Sequence, residues 1–558
     1  MDNTVERQES NEAAGSEFIS KYVQEHKEEL EVLRQKATSL RFDGKWLIIG
    51  DDGYIQMRLQ YATTSFAEEV VSPRIILYPA GESDIQKAMG LCRELKMAIA
   101  VRTGGHQYCG YSSTLPENMQ IDLSETFPEY EYDEQNNVLR CGVSHALGDW
   151  AKRNHANGIY LPMGMCAHVN LGGHVHTGGW GIVARSHGLL ADHVLAFDII
   201  LASGEMQRIL RPEKGKTSES NDDIFYAVLG GSRGGDFGIV THWEFSPLRD
   251  ENYPHSACYK LIWVWSKKSM HAVVHQIEKL SRLCADGTIP SDYEFMLTIT
   301  GTPEMNWLTD EETAELEKLG PVDEELSLPM PALIQMWMCF TNKGGKDDPF
   351  DDQWFESFAK EDVCGEPLPV VSKRLKDTPV SKGIAEDFIL EQDREMAYPF
   401  LKRSRVTVDL PNGFAEIYTE RMYEIMGPAG TSDNQHLVSQ MQIYVGGAVA
   451  ENAKSGFTSY SWREQVLAMS HDSFYSDDTR KTAEQWQSEN DQVFIGEKAF
   501  ADADMRVFAY TFGDRVLANV WPCFYDSEEK YQRLRAIKGK LDPGGLFSPD
   551  QFSLTPSA

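Results

Sequence analysis

Two glycine-dense stretches constrain this chain more than any other feature of it. The first reads VRTGGHQYCGYSS (Val101–Ser113) and the second GMCAHVNLGGHVHTGGWG (Gly164–Gly181). In the first, Gly104, Gly105 and Gly110 follow a strand-like run directly. Lacking Cβ atoms, they admit positive φ, so successive backbone N–H groups can converge on an anion. No Lys-Ser/Thr pair follows, which excludes a triphosphate-and-magnesium loop and leaves a pyrophosphate held by amides. A glycine-rich turn beside a core histidine fits the same letters. The second stretch holds Gly164, Gly172, Gly173, Gly178, Gly179 and Gly181, with Gly188 just beyond. Such density outside a repeat fits backbone lying flat against a planar ligand. His174, His176 and His187 fall here too, but His-x-His without a carboxylate partner is a weak metal signal, and no metal is expected. Cys166, read alone, is a small buried hydrophobe.

The remaining composition narrows the partners. The chain has 558 residues and a formal net charge of −32. Its length allows two or more domains, and its acidity repels phosphate backbones and anionic lipid, so neither nucleic acid nor a membrane surface is an expected partner. No apolar run is long enough to span a bilayer. The polar start, MDNTVERQESNEAAGSEF, has no signal-like apolar segment, and a cytoplasmic location is expected. Nine cysteines without a CxxC pair argue against a disulfide framework or a zinc site.

Periodicity predicts a β-α-β opening: RIILYP (Arg74–Pro79), a helix over GESDIQKAMGLCRELKM capped by Ser83 or Asp84, and AIAVRTGG (Ala98–Gly105). MQIDLS, VLRCGV, HVLAFDIILA and FGIVTHWEFSP read as further strands, with HALGDWAKRNHANG as a helix. No GxGxxG opens the first turn, so a Rossmann dinucleotide site is not supported. Beyond about residue 248 the texture changes. KLIWVW, EFMLTITG, LIQMWMCFTN, SRVTVDL and HLVSQMQIYVGG are strands; MHAVVHQIEKLSRLCA and GFAEIYTERMYEIMG are helices. The chain then returns through YQRLRAIKGKLDPGGLFSPDQF.

Together the glycine stretches resemble the flavin-binding signatures of the vanillyl-alcohol oxidase/p-cresol methylhydroxylase superfamily, in particular its berberine bridge enzyme-like branch. LLADHVLAFDIILASGEM, DDIFYAVLGGSRGGDFGIVTHWEF and KLDPGGLFSPDQF resemble later segments of that branch in the same order. The resemblance implies an α+β fold, with a two-part FAD-binding domain of the p-cresol methylhydroxylase type and an inserted substrate domain built on a helix-covered antiparallel sheet. Expected bounds are 1–29 for a polar lead-in, 30–247 and 495–558 for the FAD-binding domain, and 248–494 for the substrate domain. It further implies FAD attached bicovalently through His106 and Cys166. Thr103, Gly104, Gly105, Gln107, Tyr108 and Gly110 would contact the cofactor from the first stretch. Val169, Gly172, Gly173, Gly178, Gly179 and Gly181 would do so from the second, with Ile239 and Gln551 from later segments. Val169 occupies the position at which valine accompanies oxidases in the branch and isoleucine poor reactivity with O₂. Asn170, Thr177 and Arg233 depart from the branch pattern, and none of them is an anchor.

The implied reaction removes a hydride from a small alcohol, sugar or amine and passes electrons to O₂ as H₂O₂. An oxidative cyclase, or a redox-silent binding or pericyclic scaffold, are the alternatives. The reaction needs a base near the hydride-donating carbon. Phe512 stands where the branch often has its tyrosine and cannot take a proton; Tyr510, two residues earlier on the same strand face, is the substitute. Gln440, Gln442 and Tyr444 alternate and are expected to project together from one strand face. Lys402 and Arg403 would suit an acidic or carbonyl group if they face a pocket, although exposed basic residues are commoner.

Overall fold

A computed structural model describes residues 17–61, 66–107, 110–213, 219–230, 234–300, 308–318, 333–345, 350–360, 369–390, 400–426, 436–475, 478–496, 504–506 and 516–557. A four-stranded sheet opens the chain, in spatial order Lys45–Ile48, Ile75–Tyr78, Met119–Asp122, Ile99–Arg102. Its last three strands are parallel. Parallel neighbours need a crossover, and the helix Glu82–Leu95 supplies it. Ile85, Ala88, Met89, Leu91 and Cys92 are buried from that helix, and each fully buried large aliphatic side chain contributes roughly 1.5–3 kcal/mol. Neither Ser83 nor Asp84 is its N-cap. Gly81 holds that position, and the buried Asp84 carboxylate accepts the amides of Ala80, Asp43 and Gly44 instead, stitching the helix start to the strand before it.

A second, antiparallel sheet of five strands runs Tyr130–Asp133, Val138–Gly142, Ile239–Phe245, Val194–Ile200, Met206–Leu210. The C-terminal segment closes on these two sheets. The Ile99 amide donates to the Leu546 carbonyl at 2.7 Å, and the Asn118 side chain to the Pro549 carbonyl at 3.0 Å. Leu534, Ile537, Phe547 and Leu554 share one apolar core with Ile76, Met119 and Trp243.

A third sheet is antiparallel and seven-stranded: Val371–Lys376, Ala257–Val264, Leu333–Phe340, Tyr293–Thr300, His436–Ile443, Leu467–Phe474, Phe400–Thr407. One face packs on the helices Lys267–Ala285 and Phe414–Met426. The other face meets the first two sheets. Two of its strands escaped the periodicity reading for the same reason. Leu467–Phe474 buries Ser470, His471, Asp472 and Ser473, and Val371–Lys376 alternates charges at the edge, so neither reads as an apolar run.

Candidate functional site

The strand Ile99–Arg102 ends in a fully buried guanidinium. Arg102 donates to Asp122 and to the carbonyls of Met57, Arg58 and Leu59, the last two at 3.0 Å. A buried ion pair is costly unless its remaining donors are satisfied, and here they tie the strand end to a neighbouring turn. The first glycine stretch therefore leaves from a rigid post. Gly105 is left-handed, at φ 69°, and its carbonyl accepts from the Tyr61 amide at 3.0 Å. The His106 ring then stacks on Tyr61, with centroids 4.4 Å apart. Gln107 turns the chain back, its side chain accepting from the Tyr111 amide.

The second stretch is not one extended ribbon. Asn170 caps a short helix, Leu171–His176, which places Gly172 and Gly173 in its first turn. Cys166 sits before it in an isolated parallel bridge to Leu390, framed by bonds from the Ala167 amide to the Leu390 carbonyl and from the Leu390 amide to the Met165 carbonyl. Val169 lies between, its amide on the Cys166 carbonyl and its carbonyl on the Leu147 amide.

Between the two stretches lies a cavity enclosing roughly 1400 Å³ of empty space, open solvent at its mouth included. Of the residues singled out in the sequence, Thr103, Gly104, Gly105, His106, Gln107, Cys166, Val169, Gly172, Gly173 and Gly181 line it. The two anchor candidates thus share one chamber. Gly173 opens onto it, with no atom of the described residues within 4 Å of where a Cβ would stand. Gly104 approaches the second stretch so closely that a Cβ would meet the His168 carbonyl at 2.8 Å. A flat cofactor fits this chamber, because backbone closes on it from two sides and Gly173 leaves space a side chain would fill.

Several expectations need correcting. Gly110, Gly178 and Gly179 do not line the cavity: a Cβ on each would meet Phe66, Tyr460 and Leu190 at 3.2, 2.8 and 2.3 Å, so close packing leaves no room for a side chain. Ile239 is buried in sheet core, and the flanking Gly238 and Val240 line the chamber in its place. Gln551 is exposed, holding the Leu517 amide by its carbonyl. Gln440 lines the cavity, but Gln442 and Tyr444 do not: the Gln442 amide donates to the Gly181 carbonyl at 2.8 Å, and Tyr444 lies past the strand end, edge-on to Trp180. Lys402 is buried in a pair with Asp472 and Arg403 in one with Asp491, rather than exposed. Tyr108, Arg233, Tyr510 and Phe512 lie outside the described residues.

Sequence reasoning missed Met296, Gly234, Gly235 and the roles of His174 and His176, all lining the chamber. His174 accepts the Gly164 amide through Nε2 at 3.0 Å, and His176 Nδ1 faces the Val228 carbonyl. Burial pushes both down to about 4, so both rings are neutral at pH 7. Their i, i+2 placement in a short helix is the one signal that marked them. Among the described residues, no three His, Cys, Asp or Glu side chains gather as a metal site.

Comparison with known proteins agrees with this geometry. An FAD-binding domain family matches residues 73–210. An FAD-linked oxidoreductase of Dictyostelium discoideum is 28% identical over 243 residues, 42% of this chain and 50% of that protein. Berberine bridge enzyme-like 18 of Arabidopsis thaliana is 29% identical over 214 residues, 38% of each chain. The chain carries an FAD-binding domain and is similar to berberine bridge enzyme-like and other FAD-linked oxidoreductases. These alignments span half or less of the relatives' own length. The fold extends further. The glucooligosaccharide oxidase of Acremonium strictum superposes with a TM-score of 0.69 at 17% identity, covering 94% of this chain and 98% of that one. No described helix is long and apolar enough to cross a membrane.

Proposed function

We propose that this chain is an FAD-dependent oxidase that removes a hydride from a small alcohol, sugar or amine and delivers the electrons to O₂. The observation that carries the reading is the placement of His106 and Cys166 in the walls of one glycine-lined cavity. FAD, when bound, supplies the two-electron acceptor and the route from substrate to O₂, with H₂O₂ as product. The protein's part is placement. His106 and Cys166 hold the cofactor covalently, one from each glycine stretch. The amides around Gly104 and Gly105 receive its pyrophosphate. Gln440 and Met296 form the sheet side of the chamber, where the Gln440 amide can donate to or accept from a hydroxyl or amine and orient it. A glutamine takes up no proton, so the base is assigned to Tyr510. The division into an FAD-binding part, 30–247 with 495–558, and an inserted substrate part, 248–494, belongs to the same reading. Packing of Leu534 and Phe547 with Ile76 in one core supports it.

Acid precipitation tests the attachment. The wild-type pellet is expected to stay yellow. His106→Ala and Cys166→Ala each keep some covalent flavin, and the double variant releases all of it. Flavin freed from the wild type by acid would overturn the bicovalent assignment. Peroxide release across a panel of oligosaccharides, alcohols and amines then tests the oxidase reading, and a flavin-loaded enzyme that is reduced by a substrate yet forms no peroxide in air would defeat it.

A further inference from the structure

The cavity wall at Gly181 continues into a strained turn. Val183, a β-branched residue, stands at φ 59°, the left-handed region that such side chains rarely enter. Strain of this kind persists only where the surroundings hold it. Three side chains do so, two reaching into the turn and one reaching out from it. The Gln442 amide donates to the Gly181 carbonyl. The Arg185 guanidinium donates to the carbonyls of Ile289, Pro290, Tyr293 and Val445, at 2.7–3.1 Å. Glu294 accepts both the amide and the hydroxyl of Ser186 on one carboxyl oxygen, at 2.5 and 2.6 Å.

Glu294 is the unusual member. It is 3% exposed on the strand Tyr293–Thr300, two residues before the cavity-lining Met296. Its second oxygen is buried and has no hydrogen-bond partner among the described residues. Met296 pairs with Gln442, so the same register sets Glu294 beside Tyr444, and on its other side it pairs with Cys339. The Tyr444 hydroxyl is buried close to the Gly181 backbone. The titratable and charged groups around the carboxyl are therefore Cys339, Tyr444, Arg185 and, farther off, Cys284. Of these described groups Arg185 carries the charge, and its donors are directed at backbone carbonyls. A carboxylate here would leave a buried, half-solvated charge, so the neutral acid is the favoured form.

We propose that Glu294 is a positioning residue, a buried carboxyl that seats the strained Gly181–Ser186 wall on the sheet and does so in its protonated form. Burial pushes its pKa up to about 7, and the Ser186 bonds oppose that rise. The sign follows. A carboxyl raised in the folded state stabilises the fold below its ordinary range, and that contribution is lost as pH rises through about 7. Ionisation should then loosen the wall that carries Gly181.

The inference rests on the flavin reading of the cavity, so its deciding readouts need no flavin. In the full-length protein, infrared spectra between pH 6 and 8 should show a protonated-carboxyl band that titrates near neutrality and is absent in Glu294→Gln. The wild type should lose melting temperature relative to Glu294→Gln as pH rises from about 4.5 to about 7, with the difference level above that. Ser186→Ala removes a bond that favours the charged form and should move both transitions to higher pH. Glu294→Gln keeps an acceptor for Ser186 and should load flavin as the wild type does, whereas Glu294→Ala should load several-fold less. Identical bands and melting profiles in wild type and Glu294→Gln would overturn the proposal. If Glu294→Gln fails to fold, the Ser186→Ala shift decides: no shift overturns it. A colourless but folded wild type would sink the flavin reading and leave these spectra to judge Glu294 alone.

Discussion

At the scale of single residues, one methyl group bears on the choice between oxidase and dehydrogenase. Val169 lines the cavity three residues after Cys166, and both its amide and its carbonyl are bonded, so its side chain is held in place. Close-packed interiors register single-carbon changes. Val169→Ile should slow reoxidation by air by tenfold or more, roughly 1.4 kcal/mol of barrier, and leave anaerobic reduction by substrate almost unchanged. Stopped-flow measurement of the two half-reactions checks this, and equal reoxidation rates would count against the assigned role. The residue scale is also where the letters were most informative. His106, Cys166 and the glycines at 104, 105, 172 and 173 were legible because glycine marks where backbone must come close. Glu294 was not, because a glutamate in EFMLTITG looks the same whether it faces water or a buried serine.

At the scale of elements, the short helix Leu171–His176 couples the cavity to pH. It carries two histidines held neutral by burial, each lowered from its ordinary 6.5 to about 4. A base with a depressed folded pKa contributes stability above its unfolded value, and that stability drains away as pH falls between 6.5 and 4. Each ring should withdraw about 3 kcal/mol over that window, at 1.36 kcal/mol for each tenfold change. His174 should matter more, since protonating Nε2 also turns the acceptor of the Gly164 amide into a donor. Melting curves from pH 7 to 4 should show His174→Gln losing less stability on acidification than the wild type; parallel curves would exclude His174 as an acid-sensitive group. The helix itself was invisible in LGGHVH, since two glycines argue against helix and only tertiary packing outweighs that preference. Strands rich in Val, Ile and Leu, such as Ile75–Tyr78 and Val194–Ile200, were plain from their composition.

For the whole molecule, the core shared by the first two sheets and the C-terminal helix Glu528–Leu541 makes a strong demand. Leu534, Ile537, Phe547 and Leu554 are almost entirely buried in it. Removing four such side chains costs roughly 6–12 kcal/mol, comparable to the total stability of a typical domain. A chain ending at residue 494 should therefore be insoluble or lack near-ultraviolet circular dichroism, and a folded, monomeric truncation would refute that account. By itself the sequence determined the local facts, which runs are strands and where backbone must pass without side chains, and its resemblance to a flavin-binding branch singled out His106 and Cys166. It also pointed to an FAD-binding domain, the family that matches residues 73–210. Only the tertiary structure decided that His106 and Cys166 face one chamber, that Gly178 and Gly179 serve packing, and that Gln442 holds the wall while Gln440 lines the space. Those outcomes depend on which strands become neighbours and in what register, and such pairings join residues hundreds of positions apart. No local periodicity encodes them.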